Sequence, residues 1–208
     1  MDDELKLPRM SLSEFKGGAM QRYMEVFASP CSLISPFTPE MDSRLVIFNE
    51  MHSVDTSFLL SIISDSKGMG DTGFYFSFVE VYDYQIWYPG MPNDEKYLKS
   101  WFVPFDDVKD YLAQTFLTNH VIYSQQGKWG VFVSVDHFLI LGGISSFVSQ
   151  IISKNPDLDQ ATDRFIRIWK EWNLSLGYRL EWITDLLKHV YGIDKAKKLV
   201  QKHALPES

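Results

Sequence analysis

The run GKWGVFVSVDHFLILGG, residues 127–143, reads as a strand, a tight turn, a second strand and a glycine pair. β-Branched and aromatic residues fill WGVFVSV and FLIL, the composition of a half-buried pleated surface. Just upstream, HVIYS (120–124) meets WGVFVSV across the turn QQGK, where Gly127 supplies the left-handed residue of a hairpin bulge. Three successive antiparallel strands follow from this stretch, and the rest of the fold is built around them.

Working outward, FYFSFVEVYDYQIWYP (74–89) is apolar on both faces, as a central strand is, with Phe74, Phe76, Phe78, Glu80, Tyr82 and Tyr84 on one of them. The loop GMPNDE leads to a return strand, KYLKSWFVP, expected to pair with it. RLVIFNE (44–50) has the pattern of another buried strand. Helical stripes lie between these strands. Phe15, Ala19, Tyr23 and Phe27 recur at four-residue spacing after a cap at Ser13, and Phe58, Leu59, Ile62 and Ile63 follow a cap at Ser53 or Asp55. Val108, Tyr111, Leu112 and Phe116 follow a cap at Asp106 or Asp107.

Beyond Gly142-Gly143 the period is helical to the end. Phe147, Val148, Ile151 and Ile152 begin the series, then Ala161, Phe165, Ile168, Trp169 and Trp172. Leu176, Leu180, Ile183, Leu187 and Val190 mark a third stripe, and Ala196, Leu199 and Val200 a short fourth. Strands in the middle and helices at the end predict α+β architecture: a largely antiparallel central sheet of about five to six strands, helices between them, and a C-terminal run of three to four helices, 145–204, packed on the sheet. With no break in composition, residues 1–208 read as one domain with a loose leader over 1–12.

Composition narrows the function classes. Hydrophobic residues make up 45% and aromatic residues 15%, enough for a substantial core and too much for a disordered chain. Cys31 is the only cysteine, so an internal disulfide and a cysteine-based zinc site are both excluded. The start MDDELKLP is acidic where a secretory signal is basic and then apolar, and no apolar run approaches the roughly 18 residues of a membrane span. The expectation is a cytoplasmic protein without a membrane partner. Net charge is -7, and the excess lies before Asp157, where 19 acidic residues face 11 basic ones. An acidic body repels phosphate backbones and favours basic partners, so nucleic acid is not expected. Arg164, Arg167 and Arg179, interleaved with Trp169, Trp172 and Trp182, lie largely off the apolar stripe, as on an amphipathic core helix.

Candidate chemistry is sparse. A strand, two glycines and a helix start form the layout of an anion site, but LGGISSFVSQ has no third glycine and no lysine before Lys154, so it reads as a turn with Ser145 or Ser146 as helix cap. Asp136 and His137 are neighbours whose side chains diverge on a strand, which does not make a dyad. Glu80 interrupts an aromatic face, with Arg44 as a possible ion-pair partner elsewhere in the chain. The best enzymatic set is Glu50, His52 and Asp55 in NEMHSVDTS, an acid–base or metal-binding arrangement leaving a strand end; it supplies no second histidine at ligand spacing. No motif calls for a cofactor. The stronger expectation is a non-enzymatic protein-binding domain, for example an immunity or inhibitor protein, whose acidic residues Asp94, Glu95, Asp106, Asp107 and Asp110 lie close in sequence to the aromatic anchors Trp87 and Tyr88 and face a basic partner protein. A contact between copies of the chain through the C-terminal helices is the other partner it suggests.

Overall fold

In the computed structural model, which describes residues 7–28, 35–50, 54–82, 85–87, 99–113, 116 and 118–206, the decisive run forms two neighbouring antiparallel strands. The strands in chain order are β1 Ser43–Phe48, β2 Gly73–Phe78, β3 Glu80–Tyr82, β4 Gln85–Trp87, β5 Ser100–Pro104, β6 His120–Ser124, β7 Trp129–Ser134 and β8 Phe138–Gly143. Six of them build one antiparallel sheet in the order β1-β8-β7-β6-β2-β5, while β3 and β4 pair only with each other. The long strand expected over 74–89 is therefore three short ones. The ladder runs on past Phe78 to Val79 N–H, which donates to the Asn119 carbonyl at 2.8 Å, and from Glu80 the chain pairs instead with Trp87 of β4.

Alternation along the strands divides the core into two halves. On β7, Trp129, Val131 and Val133 point to one face, joined there by Phe74, Phe76 and Phe78 of β2; Phe132 of β7 and Tyr75 of β2 point to the other. The helices are α1 Leu12–Glu14, α2 Met20–Val26, α3 Thr56–Gly68, α4 Val108–Leu112, α5 Ser145–Lys154, α6 Ala161–Leu176 and α7 Glu181–His203. α3, α4 and α5 cover the Trp129 face, and α2, α6 and α7 cover the Phe132 face. A sheet buried on both sides explains why its strands read as continuous apolar runs. The α+β expectation holds, and the C-terminal helices do pack on the sheet, though on opposite faces: α5 on one, α6 and α7 on the other.

Of the expected helix caps only Asp55 holds, and the others are corrected. The first helix begins at Leu12, capped by Ser11 and not Ser13: the Ser11 hydroxyl accepts from Glu14 N–H while the Glu14 carboxylate accepts from Ser11 N–H at 2.8 Å. A π-helical stretch, Phe15–Ala19, joins α1 to α2 and keeps Phe15, Ala19 and Tyr23 on the buried side. Asp55 caps α3. Asp106 and Asp107 do not cap α4, which is entered through a 3-10 turn at Phe105–Asp107. Leu176, expected on an apolar stripe, lies exposed at the end of α6. The third and fourth C-terminal stripes are the two halves of α7, broken at Gly192 with φ 75°.

The glycine pair is the largest departure from the expected layout. Gly142 and Gly143 are the last residues of β8, not a turn, and Ile144 precedes α5 without a side-chain cap. Ser145 instead donates to the Asp42 carboxylate at 3.0 Å. Gly142 stands opposite Gly130 of β7, and a Cβ at either would clash, at 2.5 Å from the Phe37 ring and 2.6 Å from Val26. The two glycines open a window in the sheet through which Phe27 and Phe37, 5.1 Å apart, reach the backbone.

Candidate functional site

β5 is the terminal strand of the sheet, and the chain leaving it carries Asp106, Asp107 and Asp110 within one turn of one another. Phe105 anchors this corner in the core, and Tyr111 is buried beside it, so the aspartates ride on a fixed support. Asp106 is exposed and the other two partly so, and none of the three carboxylates meets a hydrogen-bond donor or a cation among the described residues. Like charges three and four residues apart on a helical turn repel, and here only their place in a first turn, where the helix dipole favours carboxylates, offsets that. Lys109 is the only positive charge inside the segment. Trp101, on β5 itself, is fully buried between Phe76 and Phe78 and is a core residue, not an anchor for a partner. Asp94, Glu95 and Tyr88 lie outside the described residues, as does the side chain of Trp87.

The enzymatic set is only partly visible. Glu50 is exposed beyond the end of β1, His52 lies outside the described residues, and Asp55 is engaged at the start of α3. Its carboxylate accepts from Ser57 Oγ at 2.5 Å and Phe58 N–H at 3.0 Å, and these bonds hold its pKa below the ordinary carboxylate value. No hydrogen bond joins Glu50 to Asp55 among the described residues.

Asp136 and His137 form the β7–β8 turn, and they do not pair. Asp136 N–H donates to Ser134 Oγ, while His137, at φ 60°, sits with its ring between Phe48 at 6.5 Å and Trp172 at 5.1 Å. The Arg44–Glu80 ion pair does not represent how Arg44 is used. Its guanidinium donates to the carbonyls of Met41, Thr38 and His189 at 2.6–2.8 Å, which ties β1 to α7 three residues before the Gly192 break.

Three polar centres escaped the sequence reading. Asp71, 3% exposed, accepts from Ser124 Oγ, Trp129 Nε1–H and Gln126 N–H, and so locks the β6–β7 hairpin to the turn before β2. Burial raises its carboxyl above the ordinary value, against the lowering effect of those bonds. His120 lies fully buried among Phe76, Phe116 and Tyr111. Its Nδ1–H donates to the Thr118 carbonyl at 3.0 Å, which leaves Nε2 to accept from the Tyr111 hydroxyl at 3.3 Å. Burial pushes its pKa down to about 4, so it is neutral. His189 is held down to about 4 by burial and then by the Arg44 charge. The signals for Asp71 and His120 were present but unspecific: an aspartate between Gly70 and Gly73, and a histidine opening an apolar strand.

These centres are buried, bonded and separate, so they act as braces for the fold. Among the described residues, no group of three histidine, cysteine or acidic side chains is placed to hold a metal ion, and no helix is long and apolar enough to cross a membrane. Comparison with protein-family models, with curated proteins and with solved structures gives no match.

Proposed function

We propose that this chain is a non-enzymatic cytosolic protein-binding domain of immunity or inhibitor type, presenting the acidic corner after β5 to a basic surface on a partner protein. The observation that carries the reading is the unpaired state of Asp106, Asp107 and Asp110 on a rigid, aromatic-anchored support. A basic partner removes the repulsion among them and gains pre-positioned carboxylates, which favours fast association and rejects acidic competitors. Asp94 and Glu95, close in sequence, extend the same charge, with Trp87 and Tyr88 as the candidate anchors.

Charge reversal tests it. The triple variant D106K/D107K/D110K is expected to keep the wild-type circular dichroism spectrum and unfolding midpoint, because all three side chains are off the core. Co-purification of a basic protein, tried first with the products of adjacent reading frames, is expected for the wild type at low salt and to vanish for the variant. Recovery of the same partners by both proteins would overturn the reading.

A further inference from the structure

A second charged surface lies away from the acidic corner, on the outer side of α6. Two cavities adjoin there and share Asp163 and Arg167. The larger, about 610 Å³, is walled by Arg164 and Arg167 together with Gln160 and Asp157. The smaller, about 360 Å³, is closed by Leu174, Lys170 and Lys202.

The charges around these cavities are unevenly satisfied. Asp163 is taken: it accepts from Lys202 at 2.8 Å and from His203 at 2.6 Å, which pins the end of α7 to α6 and lowers its pKa. Lys170 is taken too, donating to the His203 carbonyl at 2.5 Å. Arg164 and Arg167 are both exposed and have no hydrogen-bond or ion-pair partner among the described residues. Three residues apart on one helix, their forked donors lie on the same face and suit carboxylates.

The same face then turns apolar at Leu174, which is 85% exposed and two helical turns on from Arg167. Leu174 and the aliphatic stems of Arg167, Lys170 and Lys202 make the smaller cavity a slot for an apolar side chain. At 1.5 Å per residue, Arg164 and Leu174 stand about 15 Å apart along the helix.

We infer that the outer face of α6 is a docking surface for an acidic peptide segment of a partner protein, with carboxylates received at Arg164 and Arg167 and an apolar side chain, about 15 Å further on, received at Leu174. Charge complementarity selects this occupant. Two unpaired guanidiniums call for a few carboxylates and Leu174 for an apolar side chain, whereas a phosphate chain would carry its negative charge on past Arg167 against Glu171 and offer Leu174 nothing apolar. The surface is independent of the acidic corner, and each stands if the other fails.

The probe is a fluorescein-labelled helical peptide with a glutamate pair and a leucine pair separated by ten residues, made in both directions and titrated by anisotropy at low ionic strength. Binding is expected in at least one direction, weakened tenfold or more by R164E/R167E and about tenfold by Leu174→Ser, the factor for losing roughly 1.4 kcal/mol of apolar burial. The acidic-corner variant D106K/D107K/D110K is expected to bind the peptide as well as the wild type does. All the altered side chains are exposed or partly so, and circular dichroism checks that the fold is retained. The inference is overturned by no binding at about 1 mM peptide, a concentration that detects even very weak complexes. It is equally overturned by unchanged affinity in R164E/R167E, or by tighter binding of a single-stranded oligonucleotide of equal charge through the same arginines.

Discussion

The indole N–H of Trp129 donates to the Asp71 carboxylate at 3.1 Å, inside the sheet and out of reach of solvent. The same carboxylate serves Ser124 Oγ and Gln126 N–H, so three donors from one hairpin meet at a single acceptor group. Asp71→Ala strands the indole and hydroxyl donors, while Gln126 N–H keeps Ser124 Oγ at 2.9 Å, and is expected to cost about 2–3 kcal/mol in urea unfolding. Asp71→Asn, which keeps one carbonyl oxygen, is expected to cost less. Equal midpoints for wild type and Asp71→Ala would show that the network adds nothing.

His120 sets an acid limit on stability. Its folded pKa, about 4, lies below the ordinary 6.5, so the unfolded chain takes up the proton first as pH falls. The contribution is complete above pH 6.5 and is lost on going down towards about 4, at about 1.4 kcal/mol per pH unit for each proton involved. His120→Gln, able to donate to Thr118 and accept from Tyr111, is expected to flatten the slope over that window by about one proton. Chemical denaturation at several pH values measures it.

Gly142 has no space for a side chain. Gly142→Ala drives a methyl group to 2.5 Å from the Phe37 ring, which is held in turn by Phe27. A loss of about 1–3 kcal/mol is expected, part of it recovered by Phe37→Leu in the double variant. Gly17→Ala, where nothing lies within 4 Å, is expected to change stability by less than about 1 kcal/mol.

Arg44 holds His189 in two ways, by donating to its carbonyl and by placing a positive charge near its ring. Arg44→Gln is expected to raise the His189 pKa from about 4 towards its ordinary value, read by NMR titration, though not fully, because burial is the larger cause. The variant also loses carbonyl partners, at a cost of about 2 kcal/mol. Arg44→Lys is expected to recover little, since one ammonium cannot span the carbonyls of Thr38, Met41 and His189 as a planar guanidinium does.

Much of the sheet was legible because strands buried on both faces are continuous runs of aromatic and branched residues, and within 120–141 only the polar turns at 125–128 and 135–137 break them. The stripe Phe58, Leu59, Ile62 and Ile63 and the turn at Gly127 were readable for the same kind of local reason. Glu80 misled, since its alternation with Phe74, Phe76 and Phe78 continues into a segment that pairs with β4 in a separate two-stranded sheet. Of the proposed partner site, the charge of Asp106, Asp107 and Asp110 was visible in the sequence. The sheet packing of Trp101 and the outward place of Arg164 and Arg167 were legible too; that the two arginines meet no partner among the described residues while the neighbouring Asp163 is taken by Lys202 and His203 was not.

The sequence by itself determined the antiparallel α+β class and most of the apolar runs and stripes, because each follows from neighbours a few residues apart. Only the tertiary structure decided what the isolated polar residues and glycines are for. Asp71 meets Trp129 from 58 positions away and Arg44 meets His189 from 145. Phe37 rests on Gly142 across the sheet. A charge or a missing side chain acquires its role from the group that packing brings against it, and no local pattern carries that information.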